Sequence, residues 1–240
     1  MPLLDRTAPV RPIPASAGIG LRSPHQDLIA RERPPLAWLE VHSENYFADG
    51  GSQVERLMTV RSMYPVSLHG VGMSLGSTDA LDHEHLRRLK RLAGWSEPAF
   101  VSEHLSWGSV HGTYLNDLLP LPYTQEALLH MIDRVDQIQN YLGRQILIEN
   151  VSSYLQFAHS QMPEWEFLAA LAKETGCGLL VDINNVYVSA SNHGFDAIRY
   201  LSSLPGNHVH ELHLAGHSRK RYADREILID THSAPVCEEV

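Results

Sequence analysis

Cysteine is scarce in this sequence, and its placement excludes several kinds of site. The only cysteines are Cys177 and Cys237, which form neither a Cys-x-x-Cys pair nor a disulfide framework. A thiolate zinc site and a small disulfide scaffold are therefore not expected. A reducing compartment is the simpler setting for such a chain, and we expect a cytoplasmic enzyme.

Positive charge and long apolar runs are also lacking. The chain has 19 Lys plus Arg against 28 Asp plus Glu, a net charge of −9, so nucleic acid is not an expected partner. No apolar run approaches the roughly 18 residues of a membrane span. Residues 1–16 are rich in proline and lack the apolar core of a signal peptide, which indicates a flexible leader before a single domain at 17–240.

Short apolar strands alternate with amphipathic helices along the chain. Strands are predicted at 17–22, 38–41, 66–69, 100–105, 145–149, 178–182 and 209–214. Helices are predicted after the Gly50–Gly51 turn, at 79–92, at 124–142, from Pro163 to Gly176 and at 195–204. Because no Gly-x-Gly-x-x-Gly follows the first strand, a dinucleotide-binding fold is disfavoured. We therefore predict an α/β fold of the TIM (β/α)8 barrel type.

The C-terminal stretch does not complete that barrel. Only seven strands precede Asp230, and the following Ser233 and Pro235 resemble a helix start that has barely one turn to fill. We expect the last strand and helix to be missing, so that the predicted domain is a C-terminally truncated barrel.

Polar side chains end most of these strands, and the sequence contains 15 histidines. Side chains two apart share a face of a strand, so Glu149, Asp182 and His213 should converge at the barrel mouth. We predict these three as catalytic. Four further candidates complete the expected set of metal ligands: His69, His104, Asp230 and His232. Imidazoles combined with carboxylates suit Zn, Fe or Mn.

So many donors exceed the needs of one ion with open positions, and about two or three metal ions bridged by Glu149 are expected. Glu44 is as readily a barrel-filling residue as a site residue. The stretch Asn192-His193-Gly194 is either a substrate or metal loop or a turn with glycine at positive φ. The predicted substrate-binding residues are Glu44, Asn45, Asn150 and His193.

Six separated motifs carry a family resemblance. They are Ser-Leu-His-Gly, Ser-Glu-His-Leu-Ser-Trp, Leu-Ile-Glu-Asn, Val-Asp-Ile-Asn-Asn-Val-Tyr-Val, Glu-Leu-His-Leu-Ala-Gly-His and Ile-Asp-Thr-His-Ser-x-Pro-Val. Because the motifs occur in this order, the chain from Ala17 to Val240 resembles the bacterial TIM-barrel family of multinuclear non-haem iron oxidative enzymes. That family includes the catalytic subunit of methanobactin biosynthesis.

The resemblance implies a barrel related to xylose isomerases and apurinic endonucleases. It also implies a cofactor of mixed ferrous and ferric ions and the O2-dependent modification of cysteines in a ribosomally made precursor peptide. A partner protein that captures this peptide is implied as well. The motifs carry over as metal ligands His69, His104, Glu149, Asp182, His213, Asp230 and His232, with Asn185 as a further one.

The family pattern also includes a last strand, Leu-Ile-Glu-Trp-Asp, that this sequence lacks, and we expect lower stability and activity as a result. Two other functional classes fit the residues alone. One is a Zn- or Mn-dependent hydrolase or isomerase on the same barrel, although no lysine is well placed for a sugar isomerase. The other is a non-catalytic metal-binding module.

Overall fold

Strands and helices alternate in the structure, a computed structural model that describes residues 13–223 and 225–240. Most of the predicted leader lies outside the described residues. The strands are β1 (Ile19–Gly20), β2 (Leu39–His42), β3 (Val66–His69), β4 (Val101–His104), β5 (Trp107–Val110), β6 (Thr113–Leu119), β7 (Leu147–Glu149), β8 (Gly178–Asp182), β9 (Val209–His213), β10 (His217–Arg221) and β11 (Glu226–Asp230). The helices are α1 (Gln26–Glu32), α2 (Ser52–Met63), α3 (His83–Ser96), α4 (Gln125–Leu142), α5 (Glu164–Thr175), α6 (Ile183–His193) and α7 (Ala197–Ser203).

The chain divides into two compact units. The first comprises the described residues up to Met73 with Leu81–Glu103 and Gln137–Ile146. The second comprises Ser74–Ala80, His104–Asp136 and Leu147–Val240. The assignment of residues 17–240 to a single domain stays a prediction.

In the first unit, parallel strands pair in chain order. β1 pairs with β2, β2 with β3, and β3 with β4. Helix α3 turns its apolar stripe inward, because Leu86, Leu89 and Leu92 are each 1% exposed. It starts four residues later than predicted, at His83. Asp82 sets that start, since its carboxylate accepts hydrogen bonds from the free amides of Glu84 and His85.

In the second unit, β7, β8 and β9 are parallel neighbours. The register places Glu149 beside Leu180 and Asp182 beside His213. Every residue of β7 and β8 is buried, as expected for parallel strands covered on both faces. The carboxyl ends of β7, β8 and β9 therefore bring Glu149, Asp182 and His213 to the same edge of these strands.

Several elements were not predicted from the sequence: α1, α6 and the antiparallel hairpins β5–β6 and β10–β11. Helix α6 was missed because it begins directly at the end of β8, where Asp182 is both the last strand residue and the helix cap. Gly194 ends it at φ +76°, so the turn interpretation of Asn192–Gly194 is right for the glycine. The helix start suggested at Ser233 does not appear among the described residues.

In the part of the chain that the structure describes, no helix has the length and apolarity needed to cross a membrane.

Replacing Gly178 with alanine should destabilise the second unit. A Cβ at this position would clash with the side chains of Leu147 on β7 and His210 on β9. Overpacking of this kind typically costs about 1–3 kcal/mol, and urea denaturation followed by circular dichroism measures it. Gly206→Ala is the matched control, because nothing lies within 4 Å of its added Cβ. Equal midpoints for the two variants would contradict the packing described for β8.

Candidate metal centre

Glu149 ends β7 with its carboxylate buried, at 1% exposure. A buried carboxylate is unfavourable unless cations or hydrogen-bond donors compensate its charge. Here each oxygen faces a different imidazole. Oε2 lies 3.1 Å from Nε2 of His104, and Oε1 lies 3.3 Å from Nδ1 of His213. Glu149 thus stands between two histidines that come from different strands.

Asp182 ends β8 and is fully buried. Its Oδ1 accepts a 2.7 Å hydrogen bond from the backbone amide of Asn185, which caps α6 and places the carboxylate at the positive end of that helix. Its Oδ2 lies 3.1 Å from Nε2 of His232 and 3.8 Å from Nδ1 of His213. The side-chain amide of Asn150 pairs with the backbone of Asp182 in both directions, at 2.9 and 3.0 Å.

His232 follows β11 with a left-handed backbone, φ +48°. Its Nδ1 lies 2.6 Å from Oδ1 of Asp230. Hydrogen bonds to Asp182 and then to Asp230 raise the pKa of His232 to about 10. In the metal-free protein this imidazole is therefore a cation held between two carboxylates.

The side chain of Asn185 has a buried oxygen that receives no hydrogen bond from the described part of the chain. Its Nδ2 donates to the carbonyl of Asn150 at 3.0 Å. Its Oδ1 is buried and has no hydrogen-bond partner among the described residues. Buried polar atoms rarely remain unsatisfied, so this oxygen is suited to a ligand such as a metal ion.

The donors of Asp182, His213 and His232 lie within 4.8 Å of one another. That spacing suits a single ion bound by two imidazoles and a carboxylate, the donor set that Zn, Fe and Mn accept. Contacts extend this group to further predicted ligands of the second unit: His104, Glu149, Asn185 and Asp230. Their roles as metal ligands stay predictions.

His69, the remaining predicted ligand, belongs to the first unit. It ends β3, is 4% exposed and places Nδ1 2.8 Å from Oγ of Ser102. That contact fixes one ring nitrogen and leaves the ligand role of His69 a prediction.

Three of the predicted substrate-binding residues have separate surroundings. Asn150 uses its amide to hold Asp182, and His193 places Nε2 2.8 Å from the carbonyl of Ser153. Burial lowers the pKa of His193. Asn45 is exposed in the first unit. Their part in substrate binding stays a prediction.

Glu44, the fourth, lies in a separate acidic cluster of the first unit. Its Oε1 accepts hydrogen bonds from the amides of Val71 and Gly72 at 3.0 and 2.9 Å. Burial, together with the negative charge of Glu103, raises the pKa of Glu44 to about 7. His85 lies 3.6 Å away through Nε2, and burial lowers its pKa. The Glu44 carboxyl is thus poised to keep its proton near neutral pH.

Two polar residues that sequence reasoning left without a role also adjoin the centre. Nδ2 of Asn184 donates to Oδ1 of Asp230 at 3.0 Å, and Nδ1 of His217 lies 3.0 Å from Oδ1 of Asn184. Both residues belong to motifs already noted in the sequence. Their spacing along the chain does not indicate that they contact each other.

Solved structures define the class of this fold. Endonuclease IV from Thermus thermophilus matches with a TM-score of 0.53 at 14% identity, over 83% of this chain and 76% of that one. A xylose isomerase-like TIM barrel/4-hydroxyphenylpyruvate dioxygenase fusion protein matches with a TM-score of 0.52 at 12% identity, over 82% of this chain and 31% of that one. The chain therefore has the xylose-isomerase-like TIM-barrel fold, and the predicted fold class is confirmed.

Sequence comparison then gives the family. Residues 16–240 match the model of the RiPP precursor modification enzymes MbnB/TglH/ChrH, and the chain belongs to this family, as the motifs predicted. A UPF0276 protein of Vibrio parahaemolyticus is 53% identical over 93% of this chain and 77% of its own length. A UPF0276 protein of Acaryochloris marina is 52% identical over 92% of this chain and 78% of its own.

Glu44 should make stability depend on pH. Its pKa of about 7 in the folded protein exceeds the ordinary value of 4.5, so folding retains a proton that the unfolded chain releases. The stabilisation is complete below pH 4.5 and is lost as pH rises towards 7. In Glu44→Gln the amide oxygen can still accept both backbone bonds without titrating. Urea denaturation at several pH values should show the wild type losing stability relative to this variant across that window. Parallel plots of the free energy of unfolding against pH would contradict the raised pKa of Glu44.

Proposed function

We propose that this protein is an iron-dependent, O2-using oxidase that modifies cysteine residues of a ribosomally made precursor peptide. The observation that carries the proposal is Glu149, whose two oxygens face His104 and His213 separately. A carboxylate with one oxygen directed to each of two imidazoles is suited to bridge two metal ions. Membership of a family that modifies RiPP precursors supports a peptide as the substrate.

The donor chemistry fits iron. The residues that would hold the ions in the second unit are His104, Glu149, Asp182, Asn185, His213, Asp230 and His232. Imidazole, carboxylate and amide oxygen donors without a thiolate are typical of non-haem iron. The unsatisfied Oδ1 of Asn185 offers a neutral donor, which limits the negative charge that the ions must balance.

The chain itself would position protons and exclude competitors. Nε2 of His232 would release its proton on binding a metal, while Nδ1 would keep donating to Asp230 and fix the ring. Bound iron would supply Lewis acidity towards a substrate thiol and electrons for O2. Burial raises the pKa of Cys177 to about 12, so this protein's own buried thiol stays protonated and does not compete with the substrate.

The substrate would present its cysteine to the iron as a thiolate. We propose that a separate partner protein captures the precursor peptide and that the reaction takes place in the cytoplasm. The peptide supplies the thiol and O2 is the oxidant.

Iron loading and turnover test the proposal. The chain reconstituted anaerobically with Fe²⁺ should bind at least two irons, and Mössbauer spectra should show more than one iron environment. Glu149→Gln should lower the stoichiometry to at most one, because a neutral amide bridges ions poorly. Oxygen uptake should rise when cysteine-containing peptides are added, and the peptides should change mass.

Glu166→Gln is the matched control, since Glu166 is an exposed carboxylate on α5. Peptides with serine in place of cysteine should give no uptake. Retention of zinc or manganese alone, whatever iron is supplied, would overturn the iron assignment in favour of the hydrolase or isomerase class. Iron binding without any change in the peptides would overturn the oxidase assignment.

A further inference from the structure

We infer that Asn184 is a positioning residue of the metal centre, which holds the carboxylate of Asp230 in place and is itself oriented by His217. The inference rests on the proposed function, because it concerns the same centre. It adds two residues that touch neither metal nor substrate and that act through Asp230.

The hairpin β10–β11 supplies the first part of the argument. Its register pairs His217 on β10 directly with Asp230 on β11. Asn184, in the first turn of α6, bridges this pair with a 3.0 Å contact to each side chain. It is fully buried, so bulk water does not compete for either contact in the native protein.

The polarity of these groups fixes the direction of each hydrogen bond. An ionised aspartate can only accept, so the group that faces Asp230 must be the NH2 of Asn184. Its carbonyl oxygen then faces His217 and requires a proton on Nδ1 of that ring. The ring of Tyr187 lies 5.2 Å from the His217 ring and restricts its rotation. A proton on Nδ1 of His217 then opposes a turn of the amide that would bring its oxygen towards Asp230.

Asp230 is held from more than one direction as a result. Its Oδ1 accepts from Asn184 and contacts Nδ1 of His232 at 2.6 Å. Its backbone amide donates to Oη of Tyr154 at 2.9 Å. Because the side-chain contact with Asn184 sets the direction of the carboxylate, its loss should free Asp230 to rotate away from His232.

A second asparagine on α6 offers a matched contact with the hairpin. Asn192 lies in the last turn of α6 and pairs with the backbone of Leu228 in both directions, at 2.9 Å each. It ties β11 to the same helix without touching Asp230. Asn192→Ala therefore removes a comparable number of hydrogen bonds between the same elements and leaves the carboxylate in place.

Titration with Co²⁺ distinguishes positioning from simple support of the hairpin. The visible absorption and EPR spectra report affinity and coordination without any need for turnover. Asn184→Ala should weaken Co²⁺ binding about 10- to 100-fold, the usual effect of losing a partner of a metal ligand, and should change the EPR spectrum. His217→Phe keeps a ring beside Tyr187 but loses the donor, and should give a smaller loss in the same direction. Asn192→Ala should bind Co²⁺ within about twofold of the wild type.

The midpoint temperature of thermal unfolding should fall by a similar amount in Asn184→Ala and Asn192→Ala, because each variant loses two side-chain hydrogen bonds. Equal losses of Co²⁺ affinity in these variants would overturn the inference, since Asn184 would then only support the hairpin. Unchanged affinity in Asn184→Ala would overturn it as well, with the proposed function intact. A wild-type chain that binds no Co²⁺ would overturn the metal centre itself, and the inference with it.

Discussion

Two buried carboxylates, Glu149 and Asp182, are the constraint on which the second unit depends. Each is the last residue of a buried parallel strand and is at most 1% exposed. An uncompensated charge in that position would cost several kcal/mol. The groups that face these carboxylates are the imidazoles of His104, His213 and His232 and the first turn of α6.

This arrangement follows from topology more than from local sequence preference. Parallel strands end at one edge, so a carboxylate at the end of β7 and another at the end of β8 are neighbours by construction. The hairpin β10–β11 then brings Asp230 and His232 to the same edge from far along the chain. Asn192 holds this hairpin through backbone bonds to Leu228, so the position of His232 is set by secondary structure as well as by charge.

The strand ends were the part of the structure that the sequence could predict. β3 has the predicted bounds, and β2, β4 and β9 differ by about one or two residues, the usual uncertainty of element ends. Apolar runs bounded by polar residues carry a strong signal when both faces of the strand are buried. The hairpin β5–β6 carries a weak one, because most of β6 is exposed and its composition resembles that of a loop.

The residues of the site likewise fall into those that the sequence could predict and those that it could not. His104, Glu149, Asp182 and His213 could be proposed because strand ends are recognisable. The role inferred for Asn184 could not, since it depends on the register that pairs His217 with Asp230, and that register joins segments whose strand character was itself not predicted. Asn150 is a related case, because the contact of its amide with the backbone of Asp182 joins two strands and cannot be predicted from either strand alone.

The acidic cluster of Glu44 and Glu103 differs from the metal centre in the group that neutralises its buried charge. In the first unit, burial and Glu103 keep a proton on Glu44 near pH 7, and the carboxyl oxygen Oε1 already accepts two amide hydrogen bonds. In the second unit, burial is compensated by imidazoles instead, and the pKa of His232 rises to about 10. An imidazolium between two carboxylates occupies the place of a cation and can yield it to a metal ion by releasing one proton. Glu44 would also have to release its proton to bind a metal ion, and its Oε1 already accepts two amide hydrogen bonds.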